Sequence, residues 1–258
     1  MLYPASLPTF SRHSPDPEVE QLVRWYWISQ WDLEPGRVSR QELLAFPALN
    51  LVVEDSCVGL SGLTTRRSHR DLVGRGWAVG ALLRPAATAA VTADPAALHD
   101  VYARLDEPGL HAAVCSPMNA RPPSLAQACA AVGAWLRERV PAPSPEALLA
   151  NDLVARIEQD SDVRRVEDVA RALSLSVRTV QRLARAHVGL TPLAMIRRRR
   201  LQEAAALARD NRDMPLAHLA ADLGYSDQAH LVRDFRDLLG FTPGRYRREV
   251  TGPRPPAR

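Results

Sequence analysis

The amino-acid sequence predicts an α+β protein in which a mixed, strand-rich N-terminal domain precedes an all-α C-terminal domain. Short apolar runs near proline and glycine, at residues 43–53, 58–63 and 77–83, favour strands in the first half. Beyond residue 150, apolar positions recur at spacings of three and four, which is the periodicity of a helix with one buried face. All five tryptophans lie in the first half, so the two halves also differ in composition.

Proline marks the boundary between the halves. Residues 141–145 alternate proline with alanine or serine, a pattern that blocks helix formation and favours a stiff, extended spacer. Residues 125–140, just before it, have a helical pattern. We expect a first domain at residues 1–140, a Pro-rich linker at 141–149, a helical domain at 150–250 and a disordered tail at 251–258.

The bulk composition is that of a soluble globular protein. The chain has 258 residues, of which 46% are hydrophobic and 24% charged. No apolar run approaches the roughly 18 residues of a membrane helix, and the N-terminus lacks the pattern of a secretory signal. Cys57, Cys115 and Cys129 are widely spaced, which argues against a disulfide framework or a zinc site. We therefore expect a cytoplasmic protein without membrane contact.

Positive charge is concentrated in the second half. Residues 1–149 hold 13 arginines and 15 acidic residues, a net charge of −2, whereas residues 150–258 hold 20 arginines and 14 acidic residues, a net charge of +6. The chain contains no lysine, for which a GC-rich coding bias is the simplest reason. The asymmetry predicts that only the second half contacts a polyanion.

An internal repeat organises this basic half. Residues 166–176 (VEDVARALSLS) match residues 216–226 (LAHLAADLGYS) at an offset of 50. Residues 188–192 (VGLTP) match residues 239–243 (LGFTP) at an offset of 51. Such a repeat indicates two copies of one supersecondary unit.

Each copy has the pattern of a helix-turn-helix. Apolar residues recur at i, i+3, i+4 and i+7 from the first residue of each copy, which predicts a helix with one buried face. A tight turn follows, for which Gly224 suits the left-handed conformation better than Ser174 does. Ser176 and Ser226 are the expected N-caps of the next helix.

The helix after each turn is expected to enter the major groove of DNA. Its exposed face in the first copy carries arginine and glutamine, which pair with guanine and adenine edges, whereas the second copy is more apolar and suits thymine methyl groups. A solvated charged surface is the ordinary alternative for these arginines, and a structural role is an equal alternative for His230. The predicted DNA-binding residues are Arg178, Thr179, Gln181, Arg182 and Arg185 in the first copy and Gln228, Ala229, His230, Val232, Arg233 and Arg236 in the second.

A long helix is expected to connect the two copies. Thr191 and Pro192 form its start, and the helical pattern extends to about Arg209, so that about 18 residues span about 27 Å. This length approaches the roughly 34 Å between successive major grooves on one face of DNA. The arginines at residues 197–200 cannot share one helix face, so we expect some to be solvated and one or two to contact phosphate or acidic side chains.

These motifs resemble the AraC/XylS family of bacterial regulators. Residues 174–192 (SLSVRTVQRLARAHVGLTP) and 223–249 (LGYSDQAHLVRDFRDLLGFTPGRYRRE) carry the resemblance, which covers about 150–250. It implies a seven-helix DNA-binding domain acting on double-stranded promoter DNA, with RNA polymerase as a neighbouring partner. Ser174 stands where the family usually has a turn glycine, and Ala184 stands where an aromatic residue often packs.

By position and strand content, residues 1–140 are similar to the cupin-like β-barrel sensor domains of that family. The resemblance implies a sensor or dimerisation domain, with a small-molecule effector and a homodimer as partners. Residues 46–53 and 80–88 also loosely resemble an uncharacterised sensor family associated with such regulators. Arg84 fits either an acidic effector or a surface salt bridge, and the aromatic residues 25–27 fit either a pocket or the core.

No motif of an enzyme is present. His69, His99 and His111 are scattered, which favours structural or surface roles over metal ligation. The sequence lacks a nucleophile elbow, a P-loop and a dinucleotide fingerprint, so we expect no enzymatic activity, cofactor or metal.

The predicted function is sequence-specific transcription regulation in the bacterial cytoplasm, with nucleoid association when DNA is bound. Each chain would insert two recognition helices into successive major grooves under the control of a small molecule bound by the N-terminal domain. Two alternatives stay open. One is a ligand-independent regulator whose N-terminal domain only dimerises, and the other is a metal- or ligand-binding cupin-like enzyme tethered to DNA.

Overall fold

Two antiparallel sheets form the strand-rich part of the first half. The computed structural model describes residues 9–43, 48–63, 68–211, 214–239 and 242–249. Its strands are β1 (Thr9–His13), β2 (Val23–Asp32), β3 (Val38–Leu43), β4 (Asn50–Glu54), β5 (Val58–Ser61), β6 (Ser68–Val73), β7 (Arg75–Leu83) and β8 (Tyr102–Leu105). Six of them form a sheet in the order β1-β2-β7-β4-β5-β8, and β3 pairs with β6 in a second sheet.

The large sheet is built around β7, which pairs with β2 and β4. Every residue of β7 from Trp77 to Leu83 is buried, because strands cover both of its edges. Gly80 lies under the Trp27 indole, and a Cβ at Gly80 would lie 2.0 Å from that ring. The strands predicted at 58–63 and 77–83 are confirmed, as is the second part of 43–53, whereas residues 44–47 lie outside the described residues.

A cavity of about 650 Å³, part of which is open to solvent, lies between the two sheets. Trp27 lines it from β2 and donates its indole N–H to Asn50 Oδ1 at 3.0 Å, so an aromatic residue of the 25–27 run does line a pocket. Its neighbour Tyr26 belongs to the core. In the described residues no hydrogen-bonded strand pair joins the two sheets, so closure into a barrel stays a prediction.

Three helices complete the N-terminal half: α1 (Thr88–Val91), α2 (Pro108–Asn119) and α3 (Leu125–Arg139). The predicted helix at 125–140 is thus confirmed as α3. Val132 and Leu136 of α3 are fully buried and join the core of the large sheet with Tyr26 and Val79. The apolar face of α3 therefore covers one face of the large sheet.

Seven helices follow in the described part of the second half, which agrees with the implied seven-helix domain. They are α4 (Pro145–Gln159), α5 (Val166–Ala172), α6 (Val177–His187), α7 (Pro192–Asp210), α8 (Leu216–Asp222), α9 (Gln228–Leu239) and α10 (Pro243–Glu249). None of the described helices is long and apolar enough to cross a membrane.

Helix α4 begins inside the segment predicted as a linker. The Ser144 hydroxyl accepts a hydrogen bond from the Ala147 N–H at 3.2 Å. Pro145 occupies the first turn, where an N–H would have no carbonyl partner within the helix, so the proline costs no hydrogen bond. Residues 145–149 are therefore helical rather than extended, because a proline that blocks a helix interior also suits a helix start. The domain limits themselves stay predictions, and the tail at 251–258 lies outside the described residues.

The helical half has two separate cores that share α7. Met195 and Ile196, near the start of α7, pack in the first core with α4, α5 and α6. Leu201, Ala204 and Ala208, further along, pack in the second core with α8, α9 and α10. One continuous helix thus carries both helix-turn-helix units.

Candidate nucleic-acid interface

The two helix-turn-helix units have the same turn geometry. In the first turn the N–H of Leu175 donates to the Ala170 carbonyl at 2.8 Å, and in the second the N–H of Tyr225 donates to the Ala220 carbonyl at 2.8 Å. These atoms are offset by the 50 residues of the sequence repeat. The residue before each of these donors, Ser174 or Gly224, has a left-handed backbone conformation. The structure therefore repeats where the sequence does.

The pivot of the first turn is Ser174, with a φ of +55°, and that of the second is Gly224, with a φ of +68°. A side chain in this region costs roughly 1–2 kcal/mol relative to glycine. The prediction that the first turn is the less favourable of the two agrees with this geometry.

The two reading helices begin with different caps. Ser176 is the N-cap of α6, as predicted, since its hydroxyl accepts the Thr179 N–H at 3.1 Å. The predicted cap Ser226 is wrong for α9. Asp227, one residue later, accepts the His230 N–H at 2.7 Å, and this hydrogen bond holds the pKa of Asp227 below its usual range. Serine and aspartate cap equally well, so the sequence did not distinguish the two positions.

The first reading helix, α6, has one buried and one exposed face. Val180, Leu183 and Ala184 are fully buried against the first core. Ala184 fills the position where the related family often has an aromatic residue, so less apolar surface is buried there. Of the predicted DNA-binding residues on α6, Arg178, Gln181, Arg182 and Arg185 are exposed and Thr179 is half-buried.

The second reading helix, α9, is more apolar on its outer side. His230 is half-buried because its ring meets Tyr225 edge-on at 5.2 Å and contacts the Ser226 hydroxyl at 3.1 Å. These contacts favour the structural alternative for His230. Of the other predicted residues, Gln228, Ala229, Arg233 and Arg236 are exposed and Val232 is half-buried.

The arginines at 197–200 of α7 contact groups in both helix-turn-helix units. Arg198 and Arg199 are each only 5% exposed, whereas Arg197 is exposed, so the expectation that some of these side chains are solvated holds for Arg197. Arg199 donates to the Val163 carbonyl at 2.7 Å and pairs with Glu203. Its long side chain therefore ties α7 to the loop that precedes α5.

Two further arginines tie α7 to the second unit. Arg200 donates to the Leu223 carbonyl at 2.7 Å, at the end of α8, and its guanidinium lies 4.2 Å from the centre of the Tyr225 ring. Arg197 pairs with Asp234 of α9 at 2.5 Å, and this hydrogen bond raises the pKa of Arg197. The expectation that one or two of the four arginines contact acidic side chains holds for Arg197 and Arg199.

Two acidic residues that bear on the interface were not predicted. Asp234 is 4% exposed, and its spacing from Leu231 places it on the buried face of α9, which is the signal that could have revealed it. Glu146, in the first turn of α4, forms an ion pair with the predicted reader Arg182. No sequence signal could have revealed this pair, because its members are 36 residues apart.

The end of α6 is held by the N-terminal half. Thr88 donates its hydroxyl to the His187 carbonyl at 2.6 Å, and His99 donates its ring N–H to the Gly189 carbonyl at 2.7 Å. Burial at this junction lowers the pKa of His187. The last carbonyls of a reading helix thus accept hydrogen bonds from the other half of the chain.

The predicted histidine roles can now be compared with the structure. His99 bonds at the junction, His111 donates to backbone carbonyls of Glu54 and Asp55 at 3.1 Å, and His69 is exposed. Within the described ranges no group of three or more histidine, cysteine or acidic side chains could hold a metal ion.

Comparison with known proteins finds relatives of the helical half. A helix-turn-helix domain family matches residues 169–249. The "HTH-type transcriptional activator RhaS" of Escherichia fergusonii is 34% identical over 98 residues, which are 38% of this chain and 35% of that protein. A "Putative AraC-like transcription regulator" of Streptomyces lividans is 34% identical over 88 residues, which are 34% of this chain and 29% of that protein. Residues 169–249 thus carry a helix-turn-helix domain that is similar to those of these two regulators.

The other comparisons are less informative. Residues 11–102 match a domain of unknown function, DUF6597. Among solved structures, the C-terminal domain of AraT from Geobacillus stearothermophilus is 24% identical, covers 40% of this chain and 84% of its own, and superimposes with a TM-score of 0.35. The match to RhaS spans about a third of that relative's length.

Proposed function

We propose that this chain is a sequence-specific, DNA-binding transcription regulator. The observation that carries the proposal is the AraC-type domain with two repeated helix-turn-helix units on one helix, each exposing polar or basic side chains on its second helix. The net charge of +6 over residues 150–258 suits a phosphate backbone.

The two reading helices, α6 and α9, enter successive major grooves from one chain in this proposal. Helix α7 has 19 residues, so it rises about 28 Å, close to the roughly 34 Å between grooves. Arg199 binds the first unit and Arg197 binds the second, which limits rotation of one unit relative to the other. A fixed spacing then allows both helices to bind without a second chain.

The two helices read DNA in different ways in this proposal. Arg178, Gln181 and Arg185 of α6 supply hydrogen bonds to guanine and adenine. Ala229 and Val232 of α9 supply apolar contacts to thymine methyl groups, with Arg233 and Arg236 beside them. The α6 half of the site is therefore expected to favour purine hydrogen-bond patterns and the α9 half to favour thymine.

The N-terminal half is proposed to sense a small molecule and to support a homodimer, and RNA polymerase is the proposed partner at the promoter. Support for sensing comes from the cavity between the two sheets and from the contacts of Thr88 and His99 with the end of α6. A bacterial cytoplasmic location, with nucleoid association on DNA binding, belongs to the same proposal.

Selection of bound duplexes from a random-sequence pool tests the proposal. The full chain is expected to enrich one bipartite motif with half-sites about 10 base pairs apart. Affinity for that motif should fall steeply with salt, because each arginine–phosphate contact releases a counterion.

Two reader variants and one control variant locate the contacts. Arg185→Ala in α6 and Arg233→Ala in α9 should each relax preference at one half-site, at a cost of about 1–3 kcal/mol for a bidentate contact. Arg156→Ala on α4, which removes an exposed arginine paired only with Asp160 in the described structure, should leave the motif unchanged. Enrichment of no motif, or an unchanged motif in both reader variants, contradicts the proposal.

A further inference from the structure

A cleft lies where the two halves of the chain meet, separate from the cavity between the sheets. Its walls are the start of β2, the residues just before β4, the end of β7 with the turn after it, one side of α4, and the C-terminal end of α6. It encloses about 660 Å³, part of which is open to solvent. We call it the junction cleft, and its walls include Leu49, Leu83, Arg84, Val154 and Val188.

Arg84 is the unusual group in the junction cleft. Its Nε is buried and has no hydrogen-bond partner, and no carboxylate of the described residues lies within salt-bridge distance of its guanidinium. A surface salt bridge, one of the two sequence interpretations, is therefore not formed by the described residues. A buried guanidinium N–H without a partner is costly, and it is normally satisfied by an anion, by water or by a carbonyl.

Other arginines near the two cavities differ from Arg84. Arg24, on the wall of the junction cleft, pairs with Glu158 of α4 at 2.7 Å. Arg70, in the cavity between the sheets, binds both carboxylate oxygens of Glu54. The positive charge of Arg70 is thus already matched by Glu54, whereas no carboxylate of the described residues pairs with Arg84. An anion is expected at the junction cleft rather than between the sheets.

The remaining walls of the cleft restrict the class of anion. Leu49, Leu83, Val154 and Val188 present the apolar part of the wall, and the polar part includes Thr88, Asn151 and the paired Arg24 and Glu158. A planar, forked guanidinium matches a carboxylate, and the apolar walls favour a carbon chain or ring attached to it. We propose that the junction cleft binds a small carboxylic acid through Arg84, and that the bound acid changes the affinity of the chain for DNA. The second part rests on the proposed function.

The cleft contacts the DNA-reading unit directly. His187 and Val188, which line it, are the last residue of α6 and its C-cap. Asn151 of α4, also on the wall, accepts the Ala86 N–H at 2.9 Å and donates to the Gln21 carbonyl at 2.9 Å. A ligand there contacts both halves at once. A shift of one half relative to the other therefore changes the contacts of the ligand. Such a difference in contacts is what couples ligand binding to DNA binding.

Calorimetric titration of the full chain tests the site. The probes are hexanoate and 3-phenylpropanoate, with hexanamide and 3-phenylpropanamide as neutral counterparts and inorganic phosphate as an anion without apolar surface. Both acids should bind, and each amide should bind about tenfold more weakly or worse, because it lacks the charge that pairs with Arg84. Phosphate should bind more weakly than either acid. Absence of binding by both acids overturns the site.

Variants locate the binding. Arg84→Gln should weaken both acids about tenfold or more. Arg40→Gln, which removes an exposed arginine paired with Asp71 in the small sheet, should leave them unchanged. Ala155→Leu, which fills the cleft from α4 without removing any charge, should also weaken them, and thermal unfolding of each variant shows that it is folded. Full binding by folded Arg84→Gln and Ala155→Leu chains places the ligand elsewhere and overturns the site.

DNA affinity is measured on the motif selected for the wild-type chain, with and without saturating acid. It should change about fivefold or more in wild type and remain unchanged in Arg84→Gln. The acid affinity should change by the same factor when DNA is bound. Acid binding without any change in DNA affinity overturns the linkage but keeps the site. Failure to bind any DNA motif contradicts the proposed function alone, because the calorimetric titration needs no DNA.

Discussion

Arg182 illustrates how a side chain that is proposed to contact DNA can already have a partner within the chain. It is exposed on the reading face of α6, and its guanidinium binds the Glu146 carboxylate of α4. DNA contact by Arg182 requires that this pair break. Exposed pairs of this kind contribute about 0.2–1 kcal/mol, so we expect Glu146 to reduce DNA affinity without preventing binding.

The first prediction concerns this pair. Glu146→Gln should raise DNA affinity about 1.5- to 5-fold, because Arg182 is released from an exposed ion pair. Fluorescence anisotropy with the selected motif measures the change. Glu167→Gln, which removes an exposed acid from the first turn of α5, controls for the general effect of one less negative charge. In an Arg182→Ala background the two substitutions should have equal effects, and a larger gain from Glu146→Gln there would contradict the explanation.

At the scale of elements, α7 determines how the two reading units are placed. Its first turns belong to one core and its later turns to the other. Arg197, Arg199 and Arg200 add polar contacts to Asp234, Val163 and Leu223. Apolar packing holds each unit together, and these arginines hold the units to α7.

The second prediction compares the stability lost when each member of the Arg197–Asp234 pair is replaced. Asp234 is 4% exposed at its side chain, whereas Arg197 is 52% exposed. Arg197→Met leaves a buried carboxylate without its main partner and should lower the free energy of unfolding by about 1–3 kcal/mol. Asp234→Asn leaves a guanidinium that water can reach and should cost less. Urea unfolding followed by circular dichroism measures both, and an equal or larger loss in Asp234→Asn would contradict the assignment.

At the scale of the whole molecule, a few close contacts join the halves. Gly189 follows α6 with a φ of +81°, and a Cβ there would lie 2.7 Å from the Pro95 carbonyl carbon. Next to it, His99 donates to the Gly189 carbonyl. The loop after the first reading helix therefore packs against the backbone of the N-terminal half, and only glycine fits at its closest point.

The third prediction uses two glycines with the same backbone angle. Gly189→Ala and Gly36→Ala both place a side chain at a φ of +81°, but a Cβ at Gly36 meets nothing within 4 Å. Both variants should lose about 1–2 kcal/mol from the left-handed conformation. Gly189→Ala should lose about 1–3 kcal/mol more, because the Pro95 chain must shift.

Urea unfolding measures the loss in the free energy of unfolding. Limited proteolysis near residues 140–144 measures how accessible the segment between the halves becomes. Only Gly189→Ala should increase cleavage there, because only that substitution separates the halves. Equal stability and equal cleavage in the two variants would show that the junction does not need this contact.

The sequence alone determined the helical half in most of its detail. The repeat predicted both helix-turn-helix units, Ser176 was identified as the cap of α6, and Thr191 and Pro192 were identified as the start of α7. These features depend on local spacing, on the 3.6-residue period and on capping side chains a few residues away. The strands of the first half were found for the same reason, from short apolar runs.

Only the tertiary structure decided what depends on residues distant in sequence. The burial of Arg198 and Arg199, the Glu146–Arg182 pair and the unpaired Nε of Arg84 all result from how helices and sheets meet. Spacing along the chain reports which face of an element is apolar, but a charged residue near an apolar stripe can bind a carbonyl, a carboxylate or solvent. Which of these partners is present is fixed by packing between elements tens of residues apart.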